Sequence, residues 1–408
     1  MTAVQVFKEE TMKSIRTLLT LLMAGAIGLF HAQAFAQTIK IGVINTYSGP
    51  NASLGDIMDK GMKLYMKQNE KRLPPGVKIE LVIRDDGGAN PDKAKQLAQE
   101  LIVRDKVQIL TGLIWTPNAA AIAPLATEAK LPVVIMNAGT SSITTMSPYF
   151  ARVSFTLWQS SFPTGTWAAK KYKRAYIAVS DFGPGIDAEN AFEKAFRDGG
   201  GEIVGKVRIP LANPDFVPFI QRAKDAKPEV LFAFIPAGPQ ATQIMKAYND
   251  LGLSKAGVKF IGPGDLTPDD ELPNMGDAPL GVYTVHHYSA ASTRPANKSF
   301  IAAWKKEYGE KSTPSFMSVG AWDGMDAIYQ LIIDQKGKID GDQSMISLRG
   351  YKNANSPRGP ISIDPLTRDI VQNEYLREVR KVGGKLANVE IETVATAIKD
   401  PWKEINKK

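Results

Sequence analysis

Ile39-Lys40-Ile41-Gly42-Val43-Ile44-Asn45, followed by Thr46-Tyr47-Ser48-Gly49-Pro50, opens the folded chain. The first seven residues read as a buried strand, because an apolar run of that length bounded by turn residues suits a sheet covered on both faces. The next five carry Gly and Pro and read as a loop. A helical pattern follows from Gly55 to Lys71, with Ile57, Gly61, Met62 and Tyr65 on one face. Strand, loop and helix make one unit of a parallel αβ sheet.

The same alternation continues outward from that unit. Val77 to Arg84 is the next predicted strand. Asn90-Pro91 places a capping side chain and an N1 proline before a helix whose Ala94, Leu97, Ala98 and Leu101 form the inward stripe. Val107 to Thr111 follows as a strand, Thr116-Pro117 repeats the cap-and-proline start, and Leu131 to Met136 closes a third unit. A second series begins after Trp158. It comprises strands Ala175–Ser180, Glu202–Ile209, Val230–Phe234 and Val258–Ile261, with helices Ile186–Asp198, Asp215–Lys224 and Pro239–Leu251 between them. Two αβ lobes in tandem are therefore predicted. Beyond them, Pro295–Tyr308 and Ser315–Asp334 read as helices and Gly359–Asp364 and Ile370–Val382 as strands. This tail is expected to supplement both lobes and to cross between them.

Upstream of the first strand, Lys13 and Arg16 precede an apolar run from Leu18 to Phe30, and Ala34-Phe35-Ala36 supplies the small residues of a cleavage site. That pattern predicts a secretory signal cut after Ala36. Its apolar run is about 13 residues, short of the roughly 20 that span a bilayer. The residues before Met12 dilute the signal's basic start, which favours Met12 as the natural initiator. No second apolar stretch of membrane-spanning length occurs, so the processed chain is expected to be soluble and periplasmic. Its length of about 370 residues suits two domains.

The whole chain carries a formal charge of +8, and the segment before Gln37 holds three basic and two acidic residues, which leaves +7. Charges of both signs are interspersed, so nucleic-acid binding is not expected. Cysteine is absent. An exported chain of this size must then be held by its core, which suits a bacterial periplasm better than a disulfide-built scaffold.

Catalytic signatures are scarce. His31 leaves with the signal, and His286 and His287 are consecutive, so on a strand they would point to opposite faces and could not chelate one metal. No metal or cofactor is expected. Gly200 to Lys206 fits G-x-x-x-x-G-K, but Val207 replaces the hydroxyl residue and the segment runs from helix to strand, so it reads as a helix stop. A hydrolase would need a nucleophile in the 140–142 loop with His286 or His287, and no spacing supports that pair.

Strand-to-helix loops are more informative, since ligands of open αβ sheets bind beyond the strand C-termini. Those loops are Thr46–Pro50, Leu113-Ile114-Trp115-Thr116 and Asn137-Ala138-Gly139-Thr140-Ser141-Ser142. Hydroxyls and small residues there bring donors close to a carboxylate without a charged side chain; the same residues also serve as plain caps and turns. Aromatic residues gather at the same junctions: Trp115, Phe155, Trp158, Phe162 and Phe182. Trp115, Trp158 and Phe182 are the strongest candidates to meet a ligand.

Taken in order, Ile39-Lys40-Ile41-Gly42-Val43, the Ser-Gly-Pro loop, Asp85-Asp86-Gly87, Thr140-Ser141-Ser142, Gly262-Pro263-Gly264-Asp265, His287-Tyr288-Ser289, Tyr308-Gly309, Ser356-Pro357-Arg358-Gly359-Pro360 and Thr367-Arg368-Asp369 resemble the substrate-binding proteins of branched-chain amino acid-type ABC importers. The resemblance implies a type I periplasmic binding fold, α/β, with two Rossmann-like lobes joined by three crossings, expected near Ser154–Ser160, Val282–Ser289 and Asp340–Tyr351. It implies an N-terminal lobe of residues 37–157 plus 287–345 and a C-terminal lobe of 158–286 plus 346–408. It further implies a monomeric, non-enzymatic receptor that serves an inner-membrane ABC permease or a sensory partner.

By the same resemblance, Trp115, Thr116, Ala138 and Thr140 would hold a ligand carboxylate, and the wider candidate set is Tyr47, Ser48, Leu54, Gly139, Trp158, Gln159, Phe182, Pro236, Asp265 and His287. The chain departs from the family where an α-ammonium is usually gripped. Leu157 stands where an acidic residue is common, Phe182 replaces a Tyr-Gly pair, and Gly264 replaces a Glu, with Asp265 one residue late. An unpaired ammonium in a dry cleft costs several kcal/mol. An aromatic or other apolar acid is therefore the favoured ligand, with an amino acid or amide as the alternative through Asp265.

Overall fold

The structure is a computed structural model that describes residues 37–406. The predicted signal segment, its cut after Ala36 and the Met12 start lie outside the described residues.

The first lobe is built on β1 (Gln37–Asn45), β2 (Val77–Asp85), β3 (Ile109–Gly112), β4 (Val133–Ile135) and β5 (Phe150–Arg152), all parallel in the order β2-β1-β3-β4-β5. Ile39, Ile41, Val43 and Ile44 of β1 are all fully buried, as expected for a strand covered on both faces. Helices α1 (Ala52–Asn69), α2 (Pro91–Val103) and α3 (Thr116–Glu128) connect these strands. Asn90 caps α2 as its sequence predicts, its side chain accepting from the Lys93 N–H at 3.1 Å. Thr116 does not cap α3. Trp115 occupies that position without a side-chain capping bond, and the Thr116 hydroxyl instead accepts from the N–H of Thr140 at 3.4 Å.

The chain then enters α4 (Leu157–Ala169), which the sequence reading did not contain, and the second sheet. Strands β6 (Arg174–Ser180), β7 (Glu202–Ile209), β8 (Val230–Phe234), β9 (Lys259–Pro263) and β10 (Tyr283–His286) lie parallel in the order β7-β6-β8-β9-β10. They alternate with α5 (Gly183–Asp198), α6 (Val217–Asp225) and α7 (Pro239–Asp250). Gly199 and Gly200 end α5 and the chain passes directly into β7, so the Gly200–Lys206 motif is a helix stop.

After β10 the chain returns to the first lobe. There α8 (Pro295–Tyr308) and α9 (Phe316–Asp334) pack on α1. Gly61 makes this approach possible, since a Cβ there would lie 2.3 Å from the Ser318 carbonyl. The expected crossing at Asp340–Tyr351 is instead a helix, α10 (Gly341–Gly350), capped by the Asp340 side chain on the Gln343 N–H. The short strands β11 (Lys352–Asn353) and β12 (Ile361–Ile363) lead to a loop whose Arg368 carbonyl accepts from the Arg152 N–H on the edge of the first sheet. Strand β13 (Ile370–Val382) begins beside β12 and from Tyr375 pairs antiparallel with β10 of the second sheet. The passage between sheets therefore falls in the opening residues of β13. A further strand, β14 (Lys385–Ile398), folds back on β13, and α11 (Pro401–Ile405) ends the described chain.

Buried polar groups clamp the junction of the lobes. Arg358 is 1% exposed; its Nε lies 2.8 Å from Asp323, and it donates to the carbonyls of Val153 and Ser154 and to Gln372. Gln159 completes the capping box of α4 with Thr156 and donates to the carbonyls of Ile370 and Ile398.

Candidate ligand cleft between the lobes

The cavity sits where the C-terminal ends of both sheets face each other, the position that open αβ sheets reserve for ligands. From the first lobe it is lined by Leu54 of α1, by Ile114 and Trp115 before α3, and by Asn137 and Gly139 after β4. Phe155 and Leu157 line it from the link between lobes. The second lobe contributes Phe182 and Pro184 at the start of α5, Phe234, Pro236 and Ala237 at the end of β8, and Asp265 after β9. Phe316 and Met317, the first residues of α9, complete the wall. About 390 Å³ inside it is free of protein atoms, its open mouth included.

The walls are aromatic. Phe182 and Phe234 are stacked with centroids 6.0 Å apart, and Phe155 meets Phe316 edge-on at 5.6 Å. The Trp115 indole is held by a relay that runs away from the cavity: its N–H donates to the Thr46 hydroxyl at 2.8 Å, and Thr46 donates to Asp86 at 2.7 Å. Asp86 also accepts from Asn118 and the Gly88 N–H.

Two polar side chains reach the cavity with capacity to spare. Asn137 donates to the Ile114 carbonyl at 3.0 Å, while its Oδ1 has no protein partner among the described residues. The same holds for Oδ2 of Asp265. Burial pushes the Asp265 carboxyl up to about 7, although the Arg377 guanidinium opposes the rise.

Of the sequence-selected residues, the fold brings Leu54, Trp115, Gly139, Phe182, Pro236 and Asp265 to the cavity. The others stand off it. Tyr47 donates its hydroxyl to Asp59 and its N–H to Asp85, and Ser48 donates to Asp85. Thr116 is engaged with Thr140, and the carbonyls of Ala138 and Thr140 both accept from buried Arg152. The Thr140 side chain faces the start of α5, so that a Cβ on Gly183 would lie 2.6 Å from its hydroxyl. Trp158 stacks on Phe162, and Gln159 belongs to the clamp described above.

His287 is buried behind the wall, its ring 5.4 Å from that of Phe155. The two histidines do not point apart: their rings lie 4.1 Å from each other, because β10 ends at His286 and strand alternation stops there. Burial, followed by neighbouring positive charge, drives both imidazoles well below their ordinary pKa.

Sequence reasoning left out Ile114, Asn137, Pro184, Phe234, Ala237, Phe316 and Met317. Ile114 and Asn137 lay within loops already singled out. Phe316 and Met317 carry no local signal, since only the packing of α9 against the first lobe carries them there.

Two αβ lobes that close over an aromatic cavity define a ligand-trapping receptor. A family model described as periplasmic binding protein matches residues 38–385, and the chain belongs to that family, as a substrate-binding protein of the Leu/Ile/Val type that serves ABC importers. It is 45% identical over 362 residues to the Leu/Ile/Val-binding protein homolog 6 of Brucella melitensis, covering 88% of this chain and 92% of that one. A solute-binding protein of an ABC transporter from Rhodopseudomonas palustris BisB5, solved with 3,4-dihydroxybenzoic acid, superposes with a TM-score of 0.86 at 51% identity, covering 90% of this chain and 99% of the other. A second, from Rhodopseudomonas palustris HaA2 with p-hydroxybenzoic acid, gives 0.86 at 46% identity over 89% and 98%. The family places the protein in the periplasm.

Proposed function

We propose that the cleft captures a small aromatic carboxylic acid and delivers it to an inner-membrane ABC permease. The carrying observation is the wall itself. Phe155, Phe182, Phe234, Phe316 and Trp115 surround a narrow space in which a flat ring is covered on its faces and edges. At the first-lobe end, the second N–H of the Asn137 amide and the backbone N–H groups that open α3 are the donors offered to a carboxylate, helped by the helix N-terminus. Leu157 and Phe182 stand in the wall, so apolar side chains occupy positions where this family commonly grips an ammonium. The two R. palustris proteins bound to hydroxylated benzoic acids support the same reading.

In this reading the protein is exported by a signal cut after Ala36 and acts as a monomer without catalysis, cofactor or nucleic acid. With the third passage in the opening residues of β13, residues 37–157 with 287–369 and residues 158–286 with the strands from Ile370 onward move as the two lobes. A branched-chain amino acid is the second reading, favoured by Asp265 in the wall and by the names of the relatives.

A ligand panel decides between them. Benzoate, hydroxybenzoates, leucine, isoleucine and valine are titrated while tryptophan emission and melting temperature are followed. Aromatic acids are expected to bind and raise Tm. Saturation by leucine without response to any aromatic acid overturns the proposal.

A further inference from the structure

We infer that Asp265 is the specificity residue of the cleft, selecting acids whose ring carries a hydroxyl on the edge away from the carboxylate. The inference rests on the aromatic-acid reading and goes further by naming the ligand's second functional group and the residue that reads it.

Asp265 lies in the turn after β9, in the second-lobe wall, opposite the first-lobe loops at Ile114–Trp115 and Asn137–Gly139. Its position is fixed from behind. Leu266 is fully buried in the second-lobe core, the Gly264 carbonyl accepts from Arg377 at 3.4 Å, and a Cβ on Gly264 would lie 2.3 Å from the His286 ring. Asp265 is only 5% exposed, and its buried Oδ2 meets no protein donor among the described residues. A ring edge bearing only C–H groups would leave that oxygen sealed and unpaired, whereas a phenolic O–H satisfies it. Sites built this way reject the ligand that lacks the hydroxyl, because the loss falls on the protein's own buried group. The other side chains of the second-lobe wall, Phe182, Pro184, Phe234, Pro236 and Ala237, carry no polar atom. Selection therefore falls on one residue.

The test compares benzoate, 4-hydroxybenzoate and 2-hydroxybenzoate by calorimetry on the wild-type protein and on Asp265→Leu and Asp265→Asn. In the wild type, 4-hydroxybenzoate is expected to bind about 10- to 100-fold tighter than benzoate. The 2-hydroxy isomer, whose hydroxyl sits beside its carboxylate, should gain little. Asp265→Leu should bring the two ligands within about threefold while still binding benzoate. Asp265→Asn keeps the shape and one acceptor but no negative charge, so it should shrink the preference by threefold or more; this variant decides if Asp265→Leu fails to fold. Benzoate and 4-hydroxybenzoate binding equally well in the wild type, or a preference that survives both substitutions, overturns the inference and leaves the aromatic-acid reading standing. Failure of every aromatic acid to bind the wild type, or leucine binding that Asp265→Asn abolishes, removes that reading and this inference with it.

Discussion

The N–H of Ser141, in the first lobe, donates to Oδ2 of Asp187, in the second, at 2.7 Å. The contact joins the loop after β4 to the first turns of α5, one element from each lobe. Burial pushes the Asp187 carboxyl up to about 6. Because the bond exists only while the lobes are closed, it biases the equilibrium between open and closed forms. Asp187→Ala is expected to weaken ligand affinity about tenfold with little change in melting temperature. Small-angle scattering of the ligand-free variant should show a larger radius of gyration than wild type; equal radii and affinities would remove the latch.

Stability should fall as pH rises from about 6.5 to 8.5. Burial holds Glu374 up to about 8 and Asp265 up to about 7, so in that window the folded protein retains protons that the unfolded chain has released. Folding then takes up protons, and each increase in pH works against it until both groups have ionised. Below about 6.5 the buried neutral histidines act in the opposite sense, since they resist the protons that the unfolded chain accepts. Melting curves across this range should show the decline, and Glu374→Gln should flatten part of it. A Tm that climbs from pH 6.5 to 8.5 would contradict the assignment.

Arg358→Met should cost about 3–5 kcal/mol of stability, because it strands Asp323 in a fully buried site and frees the carbonyls of Val153 and Ser154. Urea unfolding is expected to show a lower midpoint with a similar slope.

Trp115 is the tryptophan of the cavity wall, among six in the chain. Trp115→Phe should remove most of the ligand-induced change in emission, whereas Trp304→Phe, on the buried face of α8, should leave it intact. A full response from Trp115→Phe would mean that the ligand lies elsewhere.

The alternation of strand and helix was legible because each unit from β1 to α7 carries its own periodicity. Helix α4 was not legible. Its Leu157–Ala169 sequence holds Pro163, Gly165 and hydroxyl residues, and nearly every side chain is buried, so no polar face marks a helical stripe. Thr156 followed three residues later by Gln159 was the available signal, a capping box at the start of the helix. Hydroxyls in the ligand loops were legible as donors but not in their direction: the Thr116 hydroxyl accepts from the Thr140 N–H, the Ser141 hydroxyl donates to Asp400, and the Thr140 hydroxyl faces Gly183 with no hydrogen-bond partner among the described residues. Of the aromatic residues selected from the sequence, Trp115 and Phe182 line the cavity, while Phe316 reaches it only through tertiary packing.

The bonds that set the cavity loops run outward, through Trp115 to Thr46 and Asp86 and through Ala138 and Thr140 to Arg152, whereas the faces turned inward are mostly apolar side chains. Apart from Trp115 and Asn137, which serve both, frame and lining are therefore chemically separate. Exchanging Leu157, Phe182, Phe316 or Asp265 alters what the cleft accepts without breaking a bond of the frame, so a lineage can acquire a new nutrient by a few substitutions while its closing motion is inherited unchanged.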